Sequence, residues 1–302
     1  LLFLSDMKNY GLIIPEIQPE QDYVLGGFNS IGGAVLQENG QWLDWLPLVE
    51  SQTKNGFDAI ACASFGTLSA LEMLARRVYG QDRNWSDRFL AKVSNTTPQG
   101  NDPHKVAETL RDKGVPNEVD WPFLDTLLTW VQFYSDIPQA IYSLALTFKA
   151  EFNFLHEYVI TQPSYLMQAL KYSPVPISVT AWFKGDDGLY YFPDGVPNNH
   201  WTVLVGYVEG KHWIIYDSYS DGDYLKEVKW DSKFAIAKRF SLERQVVDER
   251  SWIKFLIDIV LAAFGLKAPV APQELITAPK PPEPTPIPET PAERIVEAAE
   301  AA

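Results

Sequence analysis

The sequence predicts an α+β protein of two lobes with a cleft between them, and three observations carry that reading. Helical periodicity dominates from Cys62 to about residue 170, whereas alternating, β-branched and aromatic runs gather after residue 173. A chain of 302 residues with 46% hydrophobic residues and ten Trp can bury one large core or two smaller ones. Its single cysteine, Cys62, sits where the irregular polar run "QTKNGFD" gives way to the first helical pattern. No internal disulfide therefore supports the fold, and the lone thiol is either inert core or chemistry.

The elements follow in chain order. Residues 1–40 read as an N-terminal extension with β-hairpin character, because "DYVLGGFNSIGGAVLQENGQWLDWL" (22–46) breaks strand-like runs with Gly pairs and Asn39-Gly40 offers positive φ angles for a turn. From Cys62 the period changes: Phe65, Leu68, Leu71, Leu74, Ala75 and Val78 recur every three or four residues until Gly80. Cys62 thus opens an amphipathic helix. A second helix follows Ser86-Asp87, and a third occupies "NDPHKVAETLRDKG", with Asp102 as N-cap, Pro103 in the first turn and Gly114 as the stop. Residues 124–160, dense in aromatic and aliphatic side chains, read as a helical insertion interrupted at Pro138. "YLMQALKYS" is again helical, after which "VPISVTAWF", "HWTVLVGYV" and "HWIIYDSY" read as successive strands of an antiparallel sheet.

The C-terminal region differs in kind. Residues 246–267 form an apolar amphipathic helix around "SWIKFLIDIVLAAFGL" (251–266), which includes Lys254 and Asp258 and falls short of the ~18 uninterrupted apolar residues of a membrane span. It is expected to dock on the body or to contact a membrane or protein assembly. Residues 268–302 are a Pro-rich extended tail ending in a short helix, "AERIVEAAEAA". A formal net charge of −14 repels phosphate backbones and anionic headgroups, so nucleic acid is not an expected partner. "LLFL" at the start is too short for a signal-peptide core and lacks a basic residue, while Met7 reads as a start. No secretory signal is expected, and a cytoplasmic or assembly-associated location is favoured over secretion.

A nucleophilic thiol needs a base to take its proton and a third group to orient that base. Four His are available. His104 lies in the first turn of a polar helix, His156 in the aromatic insertion and His212 at a hairpin turn, and all three read as structural. His200 opens a strand after the loop "PNN", where a side chain can face a cleft. It follows Cys62 by 138 positions, inside the about 130–150 interval of one group of thiol enzymes. Asp217 comes 17 residues later, a gap that one hairpin spans, so strand pairing brings it beside His200. No metal-ligand spacing links the His with carboxylates, and "DDG" (186–188) and "SDGD" (220–223) read as turns; no metal or organic cofactor is expected.

These residues fall in an order that resembles the papain-like cysteine peptidase superfamily. "DW" (44–45) is similar to the start of the mature papain-type domain, and "CASF" (62–65) to its Cys-Trp-Ala-Phe. "SPVPISV" (173–179) is similar to its Gly-Pro-Val strand, "HWTVLVGY" to its His strand and "DSYS" (217–220) to its Asn-Ser-Trp-Gly. The resemblance covers about residues 41–245. Asp217 stands where papain itself has Asn, which resembles the bacteriocin-leader peptidases and other Cys-His-Asp branches. The resemblance implies a two-lobed papain-like fold and hydrolysis of peptide or protein substrates by Cys62, His200 and Asp217. It further implies an oxyanion hole completed by Gln52, and shielding of the His–Asp hydrogen bond by Tyr219. Gln52 precedes Cys62 by ten positions where the family has about six, so four residues must bulge, with Asn55 as a fallback donor. A helix N-terminus and an imidazolium are expected to favour the thiolate, and Asp58 to cap the helix and face away. Two alternatives share these residues: an acyl transferase of transglutaminase type, and a catalytically silent protein of the same fold tethered by its C-terminal segment.

Overall fold

A computed structural model describes residues 10–15, 23–26, 30–219, 223–245, 257 and 261. The chain divides into units 1–271 and 272–302. The expected tail and terminal helix, and the 246–267 helix save Ile257 and Leu261, lie outside the described residues. No described helix is long and apolar enough to cross a membrane.

The helical lobe begins with α1 (Cys62–Tyr79), whose apolar stripe is buried from Cys62 to Ala75 and which ends on Gly80 at φ 63°. A left-handed residue after a helix is where Gly costs least. Helix α2 (Asp87–Val93) is capped by Ser86, whose hydroxyl accepts from the Phe89 N–H. Helix α3 (Pro103–Lys113) is capped by Asp102, which accepts from the His104 and Lys105 N–H groups, and stops at Gly114. All three helices lie where the caps and stops in the sequence put them.

Residues 124–160 are only partly helical. The short α4 (Trp130–Phe133) precedes α5 (Gln139–Glu151), for which Pro138 is the N-cap residue and not an interruption. Phe152–Tyr158 then forms strand β3, overturning a wholly helical insertion. Its alternation of Phe152, Phe154 and His156 inward is the two-residue period of a strand, and it pairs with β10 (Lys238–Arg244) from Lys238↔Tyr158 to Arg244↔Phe152.

The second lobe is a six-stranded sheet in the order β4-β7-β8-β9-β6-β5. Helix α6 (Pro163–Leu170) leads into β4 (Val175–Val179), which runs antiparallel to β7 (His200–Val208). Strand β7 turns back into β8 (His212–Tyr216), and β9 (Leu225–Lys229) continues the meander. The two short strands β5 (Phe183–Lys184) and β6 (Tyr190–Tyr191) close the edge, β6 parallel to β9. Helix α1 lies directly on β7: a Cβ on Gly66 would meet the Trp201 ring at 2.9 Å, so glycine there permits the close approach.

The region before α1 departs from the sequence reading. Residues 30–46 contain no strand, only a 3-10 turn at Leu43–Trp45. Asn39-Gly40 closes a turn in which Gly40 N–H donates to Gln37 C=O, with Gly40 alone at positive φ. The segment gives its hydrogen bonds to other elements instead: Trp42 N–H donates to Val205 C=O, and its indole N–H to Leu170 C=O. The hairpin lies further on, at the other Asn-Gly pair. Strands β1 (Thr53–Lys54) and β2 (Phe57–Asp58) flank Asn55 (φ 48°) and Gly56 (φ 82°), the two successive positive φ angles of a tight hairpin turn.

Candidate active site

Helix α1 brings Cys62 to the lobe interface, and β7 begins there with His200. Cys62, His200 and Asp217 are all fully buried. The β7–β8 hairpin, in register at Val203↔Tyr216, returns the chain so that Asp217 follows β8 beside His200, and Asp217 Oδ1 lies 2.6 Å from His200 Nε2. The other ring nitrogen, Nδ1, is buried with no hydrogen-bond partner. The next residue, Trp201, is the one against which α1 packs, and its backbone N–H acts on the Cys62 thiol. Cys62 therefore lies at the start of β7, where His200 pairs with Asp217.

Asp217 has two partners that sequence reasoning missed. The Trp182 indole N–H donates to its Oδ2 at 2.8 Å, and the fully buried Lys226 ammonium lies 3.0 Å from the same oxygen. Burial alone would raise the Asp217 carboxyl, but His200 and Lys226 outweigh it and leave the group below its ordinary range. Lys226 was open to detection: in "LKEVK" it shares the inward period of Val228, an anomalous place for a lysine unless it is paired. Trp182 carried no comparable signal.

Tyr219 packs its ring against His200, with centroids 4.9 Å apart, and the rings of Trp182 at 6.1 Å and Tyr10 at 5.9 Å lie against the same imidazole. Its hydroxyl faces Asp58, to which it donates at 2.7 Å.

Gln52 arrives beside Ser218 and Tyr219 because the β1–β2 hairpin loops out the surplus residues, closed by Ala59 N–H donating to Gln52 C=O. Its amide is engaged: Nε2 donates to Asp58 Oδ1 at 3.1 Å and to the Tyr219 hydroxyl at 2.5 Å, while Oε1 accepts from Ser218. Asn55, at the exposed hairpin tip, donates instead to Asp125 C=O, which removes it as a fallback.

Asp58 does not cap α1. The N-cap residue is Ala61, with no side-chain cap, and Asp58 Oδ1 accepts the Ile60 N–H at 2.9 Å. That bond holds Ile60 at φ 53°, a left-handed conformation that costs a β-branched residue roughly 1–3 kcal/mol. Asp58 thus fixes the strained turn that launches Cys62. The thiol is not the expected thiolate: burial pushes it up, the Trp201 N–H opposes this, and Asp58 and Asp217 add to the rise.

Residues 10–13 lie against this site, joined to it by an isolated bridge between Leu12 and Asn101. Gly11 C=O accepts from Asn101 N–H at 2.9 Å, Ile13 N–H donates to Asn101 C=O at 2.9 Å, and Leu12 N–H donates to Asn199 C=O at 3.4 Å. Of the remaining His, His104 and His156 flank the buried Lys238 ammonium at 3.1 and 3.2 Å, and His156 Nε2 meets Glu108 at 2.8 Å. His212 faces Glu227 at 3.6 Å. No group of His, Cys, Asp or Glu among the described residues could hold a metal ion.

No protein-family model matches the sequence, and no curated protein aligns with it significantly. Likeness is found in three dimensions. A digestive procathepsin L 3 from the larval midgut of Tenebrio molitor superposes with a TM-score of 0.53 at 17% identity, over 69% of this chain and 75% of that one. The cysteine protease and lectin-like domains of Cwp84, a surface layer associated protein of Clostridium difficile, superpose with a TM-score of 0.56 at 14% identity, over 72% of this chain and 54% of that one. With its helical lobe on a mainly antiparallel sheet and α1 packed against β7, the chain has the two-lobed papain-like fold.

Proposed function

We propose that the protein is a cysteine peptidase in which Cys62 is the nucleophile, His200 the base and Asp217 the group that orients it. One observation carries the reading: His200 gives Nε2 to a buried carboxylate at 2.6 Å and keeps Nδ1 unpartnered, on a strand packed against the helix that Cys62 opens. An imidazole so held is fixed in tautomer and orientation, with one nitrogen available for a proton.

In the reaction, Nδ1 takes the thiol proton as sulfur attacks the carbonyl carbon of a peptide bond. The C–S bond forms and the carbonyl electrons move to oxygen, where the helix N-terminus stabilises the charge. Collapse breaks the C–N bond, and His200 delivers its proton to the departing amine. Water then adds to the thioester with His200 as base, releasing a carboxylate and restoring the thiol. Lys226 and Trp182 position Asp217. Gln52 joins the oxyanion hole only when its amide leaves Asp58 or Tyr219.

The test is digestion of a peptide library by the full chain and by the Leu12→Asp variant, which loosens the segment over the site, each beside its Cys62→Ala counterpart. Cleavage that disappears with Cys62→Ala, yielding free carboxylates, is the expected result. Incorporation of an added amine indicates acyl transfer instead. Absence of any Cys62-dependent product from either chain overturns the proposal and favours the catalytically silent reading, for which the burial of all three residues speaks.

A further inference from the structure

One carboxylate joins parts of the site that come from distant stretches of chain. Asp58 ends β2 four residues before Cys62. Its Oδ1 accepts the Ile60 N–H at 2.9 Å and a Gln52 Nε2 hydrogen at 3.1 Å, and its Oδ2 accepts the Tyr219 hydroxyl at 2.7 Å. Ile60 leads into the helix that Cys62 opens, Gln52 carries the amide proposed for the oxyanion hole, and Tyr219 has its ring against His200. The fully buried Gln52 side chain is held at both ends: Oε1 accepts from the Ser218 hydroxyl at 2.9 Å, while Nε2 gives one hydrogen to Asp58 and the other to the Tyr219 hydroxyl at 2.5 Å. Those two amide bonds differ in kind. The bond to Asp58 goes to a carboxylate and is about twice as strong as a neutral one, whereas the bond to Tyr219 is neutral. Burial and the Asp58 charge raise the Tyr219 phenol, so its hydroxyl keeps its proton and goes on donating to Asp58 when the amide turns away.

We propose that Asp58 is a positioning residue of the reaction: it keeps one N–H of Gln52 while the other leaves Tyr219 for the substrate oxyanion. The inference rests on reading Cys62 and His200 as an active site, and it adds the group that aims the oxyanion donor and the bond that is exchanged. An amide held at Oε1 by Ser218 and at one N–H by Asp58 has its plane fixed before substrate arrives, which is what a pre-organised donor requires. A carboxylate so near the nucleophile otherwise works against it, because burial raises the thiol and Asp58 adds to the rise. Removing that charge eases ionisation of sulfur, so a rate lost with it is not a loss of nucleophile.

The experiment measures kcat and KM on a library peptide cut in a Cys62-dependent way, in the chain that cuts it, wild type or Leu12→Asp. Into that chain go Asp58→Asn, Gln52→Ala and Ile60→Gly, singly and in pairs, with melting curves to establish that each is folded. Asparagine keeps an acceptor for the Ile60 N–H but replaces one carboxylate oxygen by a donor. Glycine takes the left-handed conformation of residue 60, at φ 53°, without steric cost, so with Ile60→Gly the effect of Asp58→Asn is read in a chain whose turn does not depend on the carboxylate. Gln52→Ala should lower kcat ~10²–10³-fold and Asp58→Asn about 10–10²-fold, with KM within about twofold of the parent in both. The Asp58→Asn loss should persist beside Ile60→Gly and vanish beside Gln52→Ala, where no amide is left to aim. Recovery of kcat by Ile60→Gly, or an equal Asp58→Asn loss with and without Gln52, overturns the positioning role and leaves the peptidase standing. Absence of Cys62-dependent product from either chain removes the peptidase itself, and this role with it.

Discussion

Two buried groups of carboxylates in this molecule end in opposite states. Asp217 lies between the His200 imidazole and the Lys226 ammonium, and these partners hold it below its ordinary range although it is fully buried. Glu50, Glu72, Asp87 and Glu118 gather where α1, α2 and the loop after α3 meet, with Lys54 the cation that acts on Glu50 and Glu118. Burial, and then mutual repulsion, push Glu72 and Asp87 well up and raise Glu118 to about 7. Glu72 accepts the Trp85 N–H at 2.8 Å and Glu118 the Phe123 N–H at 2.6 Å, bonds that a protonated acid keeps through its carbonyl oxygen. Burial alone therefore does not set charge here. At Asp217 the neighbouring cations offset it, whereas Glu157, paired with Arg239 at 2.6 Å, is still raised by burial.

Substitutions that break each group sharpen the contrast. The largest effect belongs to His200→Ala, which removes the base from the compensated group: Cys62-dependent cleavage should fall by ~10²–10⁴-fold, measured as kcat/KM on whichever library peptide is cut. Lys226→Met comes next. Removing one partner of a buried pair leaves a carboxylate short of compensation, at ~3–5 kcal/mol of folding stability in denaturant titration. In the fraction that folds, Asp217 then attracts the His200 proton more strongly, so the acid limb of the alkylation profile should move to higher pH. A Lys226→Met protein as stable as wild type would show that the ammonium compensates nothing.

Glu118→Gln gives the smallest effect and tests the second group. A carboxyl whose folded pKa is raised binds more protons folded than unfolded between its ordinary value and about 7, so the contribution of Glu118 to stability is full below about pH 4.5 and declines as pH rises toward 7. Glutamine keeps the acceptor for the Phe123 N–H and cannot ionise. The variant should match wild type at pH 5 and melt about 2–4 °C higher at pH 8, the shift that about 1 kcal/mol makes in a domain of this size. Because Glu118 is only partly buried, that figure is already reduced for solvent screening. A larger gap at pH 5 than at pH 8 would reverse the assignment.

Legibility in the sequence followed how local each feature is. Helix α3 could be read to the residue because Asp102, Pro103 and Gly114 act within one turn of where they stand. His200 and Asp217 could be paired because a hairpin of fixed period joins them. The two Asn-Gly pairs mark the limit. Both satisfy the same local rule, yet Asn39-Gly40 lies in a segment whose Trp42 is claimed by β7 and α6, while Asn55-Gly56 forms the hairpin. Tertiary hydrogen bonding decided between them, and no local pattern contains it. Asp58 was misplaced for a related reason: its carboxylate serves Ile60, Gln52 and Tyr219, the last 161 residues away. Strand β3 was lost in an aromatic-rich run where alternation in Phe152 and Phe154 was outweighed by the preceding helix. The strap of residues 10–13 had no signal of its own, since its bonds go to Asn101 and Asn199 through main chain.

The pH dependence of Cys62 carboxymethylation in the Leu12→Asp chain, with and without His200→Ala, tests most directly whether sulfur and imidazole act as one unit. The account predicts a rate plateau reached well below the ~8.5 of a free thiol, which His200→Ala abolishes. Identical profiles for the two proteins, each rising only as an isolated cysteine ionises, would contradict it.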